Sequence, residues 1–132
     1  NDLKTAMTLR SPIIDIRTIK QGEGVGYDGR AVAKKQMKIA TIYCGYADGL
    51  PHHIKDGTIV NINEQTARIF GKVSMDVCSV YVTDIPDCKI GDFCEFFSPN
   101  LSINNIASEN NLISYDLMIR IKSRVKRIYR NI

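Results

Sequence analysis

The 132-residue sequence is poor in metal-ligand chemistry, with two histidines, four cysteines and no pair of cysteines at CxxC spacing. No histidine pair stands at ligand distance from Cys44, Cys78, Cys88 or Cys94, and His52-His53 are neighbours whose side chains point apart on a strand or turn. Both facts argue against a zinc site, and the cysteines read as reduced thiols of a cytosolic protein. Long apolar runs are missing too. None approaches the roughly 20 residues of a spanning helix, and the amino end has no signal-peptide core, so the sequence points to the cytoplasm and away from membranes. Charge is slight, at a net +4, which favours solubility and gives only a weak pull on anions. There is no internal repeat and no low-complexity tract.

What is present suits a single domain over residues 1–132, whose 44% hydrophobic content is enough for a core. The chain starts at Asn1 rather than Met, directly before a strand-like segment, and reads as a piece of something longer. Met7 to Arg10 lead through Ser11-Pro12 into a strand from Ile13 to Ile19, with Ile14, Ile16 and Thr18 on one face at period two, ending at the turn Gln21 to Gly24. Further strands are expected over Met37 to Tyr43, Thr58 to Ile62, Ala67 to Phe70, Val77 to Thr83 and Phe93 to Phe97. Asp56-Gly57, Asn63-Glu64 and Pro86 mark turns between them.

Many short strands with Gly, Pro and Asp turns predict a mainly β fold, a small barrel of about eight short, mostly antiparallel strands. Helix signals come only near the carboxy end. Ser102 is a candidate N-cap for Ile103, Ile106 and Ala107, and Asn110-Asn111 would stop that helix. A second short helix is expected from Ser114, with Asp116 in its first turn. Tyr115 then either packs over that turn or stands where free N–H groups can hold an anion such as phosphate. The last run, Arg120 to Arg130, alternates basic and apolar residues as a half-exposed strand does.

Three segments depart from this plain β pattern. They are Gly24-Val25-Gly26-Tyr27-Asp28-Gly29, Cys44-Gly45-Tyr46-Ala47-Asp48-Gly49 and Gly71-Lys72-Val73-Ser74-Met75-Asp76. Each combines glycine, which lets backbone bend sharply or approach a ligand, with a tyrosine or carboxylate able to do chemistry. Taken singly, Tyr27 reads as a hairpin-turn residue, Met75 as core and Tyr46 as a half-buried strand aromatic.

Taken together and in order with Val82 to Asp87, the segments resemble the carboxy-terminal domain of alanine racemases, fold-type III enzymes that depend on pyridoxal 5′-phosphate. The resemblance runs almost end to end, from Met7-Thr8-Leu9 through Ile39-Ala40-Thr41, Gly91-Asp92 and Ile113 to Tyr115, and on to Arg127. It implies a two-domain subunit that interconverts L- and D-alanine and pairs head to tail in a homodimer. This domain would then deliver residues to the partner subunit's amino-terminal (β/α)₈ barrel, which is not part of this chain. By the same resemblance Tyr27 is the catalytic tyrosine on the L-alanine face. Tyr46 and Asp76 line the substrate passage, and the Met75 backbone N–H holds the substrate carboxylate. Tyr115 would bond the cofactor phosphate. Asp48 and Asp76 are expected to tune access more than chemistry.

The reaction explains those residue types. Racemisation takes a weakly acidic α-proton and returns one to the opposite face, so a cofactor serves as electron sink while two bases flank one carbon. A tyrosine with a pKa near about 10 needs nearby cations to act as a base at neutral pH. Arg30 is close in sequence, but the resemblance places those cations on the barrel domain, so the isolated domain is expected to be inactive and to bind no cofactor. Tyr43-Cys44, Val77 and Lys126 depart from the family pattern where it usually has proline or a small residue, glutamine and proline. They bear on substrate range, such as alanine against serine, more than on reaction type.

Two other classes compete. A small barrel binding nucleic acid would use the basic run Arg120 to Arg130, but its aromatics do not interleave with basic residues on one face, and no nucleic acid is expected. A dimerisation module with a decayed site is the other, and the intact Tyr27, Tyr46, Met75 and Tyr115 argue against it.

Overall fold

The computed structural model describes residues 8–25, 31–50, 54–98, 101, 106–108 and 110. Its longest strand, β1 (Leu9–Ile19), begins earlier than expected and runs straight through Pro12. Proline costs a strand only its missing N–H. Here Pro12 pairs with Phe93, and its carbonyl accepts the Tyr43 N–H at 3.1 Å.

Beyond Pro12, β1 changes partner. Its first residues pair with β8 (Phe93–Phe97), and those from Ile13 onward pair with β4 (Met37–Ile42). Ile13 pairs with Ile42 and Asp15 with Thr41, so Ile14 is an extra residue, a bulge of the kind that bends a strand. The period-two face of Ile14, Ile16 and Thr18 is consequently not the core face. Leu9, Ile13 and Ile19 are buried, whereas Ile14 is 46% exposed, Thr18 is exposed and Ile16 is half-buried.

Between β1 and β4 stands a small hairpin of β2 (Gly24–Val25) and β3 (Ala31–Val32). The remaining strands are β5 (Ile59–Ile62), β6 (Gln65–Ile69) and β7 (Cys78–Tyr81). β5 and β6 are joined by Asn63 and Glu64, both at positive φ (51° and 63°), the two-residue turn whose twist matches antiparallel strands. The barrel order is β1-β4-β7-β6-β5-β8, closing back onto β1, with every neighbour antiparallel. Closure removes the edges that an open sheet of this size would expose. The small, mainly β barrel expected is there, but among the described residues six strands close it rather than about eight, and the β2–β3 hairpin stands as a separate sheet.

Alternate side chains point inward, among them Ala40 and Ile42 of β4, Val60 and Ile62 of β5, Val80 of β7 and Phe96 of β8, all fully buried. All four cysteines are buried and none forms a disulfide. Burial pushes the Cys78 and Cys94 thiols well above their ordinary value and raises Cys88 as well, so these thiols stay protonated at neutral pH. A second apolar cluster of Ile19, Val25, Ala33, Met37 and Ile39 lies under the β2–β3 hairpin, with Phe70 and Tyr81 packed against it. It anchors a two-stranded element that could not hold its place alone.

Residues 106–108 are helical, as expected of Ile106 and Ala107, and Asn110 ends the turn with its backbone N–H on the Ala107 carbonyl at 3.2 Å. The Asn110 side chain is buried and does more than stop a helix. Its amide donates to the Ile106 carbonyl (2.9 Å) and the Thr58 hydroxyl (3.2 Å), and its oxygen accepts the Lys55 N–H (2.7 Å). Ser102, the segment from Ser114 and the run Arg120 to Arg130 lie outside the described residues.

Candidate functional site

Directly after β4 the chain leaves the barrel wall and forms a 3₁₀ turn, Tyr46–Asp48. The turn closes on itself. The Gly45 N–H donates to the Asp48 carboxylate (3.0 Å), the Asp48 N–H donates to the Gly45 carbonyl (3.0 Å), and Gly49, in the left-handed region at φ 107°, donates to the Tyr46 carbonyl (3.1 Å). Asp48 therefore acts on its own backbone, the reciprocal pattern of a capped helix start.

The N–H groups of Tyr46 and Ala47 point at a second loop. They donate to the carbonyls of Ser74 and Met75, each at 3.0 Å. Gly45 makes this approach possible. Its φ of −142° is open to any residue, but a Cβ there would run into the Ser74 and Met75 carbonyl oxygens. The second loop is held from within by Ser74, whose N–H (2.9 Å) and hydroxyl (3.0 Å) both donate to the Val77 carbonyl, while the Val77 N–H donates to that hydroxyl (3.2 Å). The Gly45 and Gly71 segments are thus docked backbone to backbone.

The third glycine segment meets them at Gly71. There φ is +84°, and an added Cβ would lie 3.1 Å from both the Val25 carbonyl oxygen and Ala31 Cβ, the described residues on either side of 26–30. The Gly71 N–H is held by the Asp56 carboxylate at 2.8 Å. Asp56-Gly57 was legible in the sequence as a turn, but not as the partner of a glycine fifteen positions away.

Tyr46 is half-buried, on a 3₁₀ turn rather than a strand, and Met75 is 53% exposed at the tip of its loop, not in the core. Asp76, next in the chain, is exposed. Among the described residues the Met75 N–H makes no hydrogen bond, although its carbonyl is engaged by Ala47. The structure therefore brings together Tyr46, Met75 and Asp76 on two interlocked loops. Tyr27, Arg30, His52, His53 and Tyr115 lie outside the described residues, so their places in this arrangement are not part of its geometry.

Comparison with known proteins identifies the family. The sequence profile of the alanine racemase C-terminal domain matches residues 6–129. An alanine racemase of Alteromonas mediterranea is 46% identical over 127 residues, which cover 96% of this chain and 36% of that protein. The crystal structure of the biosynthetic alanine racemase from Pseudomonas aeruginosa superposes with a TM-score of 0.95 at 36% identity, over 98% of this chain and 36% of that one. The alanine racemase from Bartonella henselae, solved with covalently bound pyridoxal phosphate, superposes at 0.87 with 30% identity, over 93% of this chain and 34% of that one. The chain spans little more than a third of the length of these relatives. With the Gly45 and Gly71 segments docked backbone to backbone beside a closed barrel and a family match over nearly all its residues, the chain belongs to the alanine racemase family and corresponds to its C-terminal domain.

Proposed function

We propose that residues 1–132 serve as the C-terminal domain of a cytoplasmic alanine racemase that interconverts L- and D-alanine and so supplies D-alanine for peptidoglycan. The domain completes the active site of the amino-terminal barrel of a second subunit in a head-to-tail homodimer. The observation that carries this reading is the interlock of the Gly45 and Gly71 segments, which sets exposed Met75, whose N–H makes no hydrogen bond among the described residues, on a loop docked against the Tyr46 turn. A backbone N–H at an exposed loop tip suits a carboxylate, and a ring on the adjoining turn gives the passage a wall.

Each residue then has a task. The Met75 N–H orients the substrate carboxylate, and Tyr46 and Asp76 shape the way in. Tyr27 moves the α-proton on the L-face, held ionisable by cations of the partner's barrel. Pyridoxal 5′-phosphate, bound by that barrel, supplies the electron sink, and the hydroxyl of Tyr115 serves to bond its phosphate. Alone, the domain binds no cofactor and turns over no substrate.

The test is complementation between subunits of the full-length enzyme. Tyr27→Ala should lose about 10²–10⁴-fold in activity, the usual worth of one positioned acid–base group, and a variant lacking the cofactor-bearing lysine should be inactive. Random exchange makes half the dimers mixed, each with one intact site of two, so mixing the two variants should restore about a quarter of wild-type racemisation. Activity that stays at the level of the single variants, with exchange verified by mass, refutes action across the interface.

A further inference from the structure

Ser74 does with its side chain what a turn residue ordinarily does with its backbone. In a four-residue turn the first carbonyl commonly accepts the fourth N–H. Here the Ser74 N–H donates to the Val77 carbonyl at 2.9 Å, but the Val77 N–H donates to the Ser74 hydroxyl at 3.2 Å, and that hydroxyl donates back to the Val77 carbonyl at 3.0 Å. The Ser74 carbonyl is thereby released to accept the Tyr46 N–H at 3.0 Å, while the Met75 carbonyl accepts the Ala47 N–H at 3.0 Å. Both oxygens lie on one side of the loop, since both would meet a Cβ at Gly45. The peptide joining Ser74 to Met75 is trans and planar, so its N–H points opposite to its C=O. With that carbonyl turned toward the 46–48 turn, the Met75 N–H faces away from it, and Met75 is 53% exposed.

We infer that Ser74 is a positioning residue, whose hydroxyl, by taking the Val77 N–H, aims the Met75 N–H at the substrate carboxylate. The inference rests on the role proposed above for Met75. Without the hydroxyl, the Val77 N–H loses its acceptor at a half-buried position, which is costly to leave unmade. The nearest replacement is the Ser74 carbonyl, in the ordinary turn bond. To make that bond the carbonyl has to leave the Tyr46 N–H, and because the peptide is one rigid plane the Met75 N–H turns with it. Two other bonds do not involve the hydroxyl. The Ser74 N–H still closes the base of the loop on Val77, and the Ala47 N–H still holds the Met75 carbonyl. Loss of the hydroxyl therefore redirects one donor without undocking the two loops.

The experiment uses the full-length enzyme with Ser74→Ala and Ser74→Thr, assayed for racemisation in both directions and for inhibition by propionate, a carboxylate of alanine's length without the amino group. Ser74→Ala should weaken propionate and raise KM for both alanine enantiomers about tenfold, the lower end of what a hydrogen bond to a charged group is worth, with kcat changed less than about threefold. Native-state amide exchange should show the Tyr46 N–H losing protection while the Ala47 N–H keeps it. Ser74→Thr retains the hydroxyl and should bind propionate as the unaltered enzyme does. Propionate affinity unchanged in Ser74→Ala, or lost equally in both variants, overturns the inference, as does a Tyr46 amide that stays protected. The control replaces the Met75 N–H itself with an ester oxygen, using the α-hydroxy analogue of methionine. If the ester leaves propionate affinity unchanged, the role of Met75 is what fails, and the inference falls with it; if the ester weakens propionate and Ser74→Ala does not, the inference about Ser74 fails alone.

Discussion

Gly45→Ala isolates the contact on which the two-loop site depends. Gly45 lies at φ −142° and ψ −167°, where alanine is as comfortable as glycine, so no cost arises from the backbone itself. The whole effect comes from space, because the new methyl would occupy the position of the Ser74 and Met75 carbonyl oxygens. Backbone cannot swing aside as a flexible side chain could. The 46–48 turn must instead lift from the 74–75 loop, giving up the bonds from Tyr46 to Ser74 and from Ala47 to Met75. Two backbone hydrogen bonds at about 0.5–1.5 kcal/mol each, with about 1–3 kcal/mol for overpacking, predict a destabilisation of about 2–6 kcal/mol. Gly57→Ala is the matched contrast. Nothing lies within 4 Å of its Cβ, but φ is +90°, so it should cost only about 1–2 kcal/mol of left-handed strain. Urea unfolding measures both, and native-state amide exchange reads the Tyr46 and Ala47 N–H groups directly. If Gly45→Ala lies within about 0.5 kcal/mol of the unaltered chain and both amides stay protected, the close approach is not what holds the loops together.

Asn110→Ala should cost about 2–3 kcal/mol in the same unfolding assay, because the Lys55 N–H and the Ile106 carbonyl each lose a side-chain partner in a buried setting; a loss below about 0.5 kcal/mol would mean that water replaces the amide. Asp92 supplies a pH prediction. Its carboxylate accepts from the Asn63 side chain (2.9 Å) and the Lys89 N–H (3.0 Å), and these bonds, the Asn63 one first, hold its pKa below the ordinary value. A depressed folded pKa means stability that is complete above the unfolded value and lost as pH falls through the folded one. Asn63→Gly keeps the positive-φ turn but removes the side-chain bond, so it should raise the Asp92 pKa toward the ordinary value in an NMR titration; an unmoved titration would show that Lys89 alone sets it.

Much of this architecture was legible locally. Strands β4 to β8 follow from short β-rich runs, and the Asn63-Glu64 hairpin from turn residues that tolerate positive φ, because both signals lie within a few consecutive residues. The three glycine segments stood out for the same reason, and their order was enough to bring the family into view. Tertiary structure decided what depends on residues distant in the chain. The bulge at Ile14 turns an apolar period-two face outward, since β1 must serve two partner strands to close the barrel, and no window of sequence contains that requirement. Gly45 looks like any turn glycine until Ser74 and Met75 are brought against it. Asp56 and Gly71 are 15 positions apart and Lys55 and Asn110 are 55 apart, so a turn signal and a helix-stop signal were readable while the bonds they make were not. Hydrogen bonds of this kind exist only after barrel closure has fixed both partners, and this is why residue types at the site could be read from the chain while the seats that hold them could not.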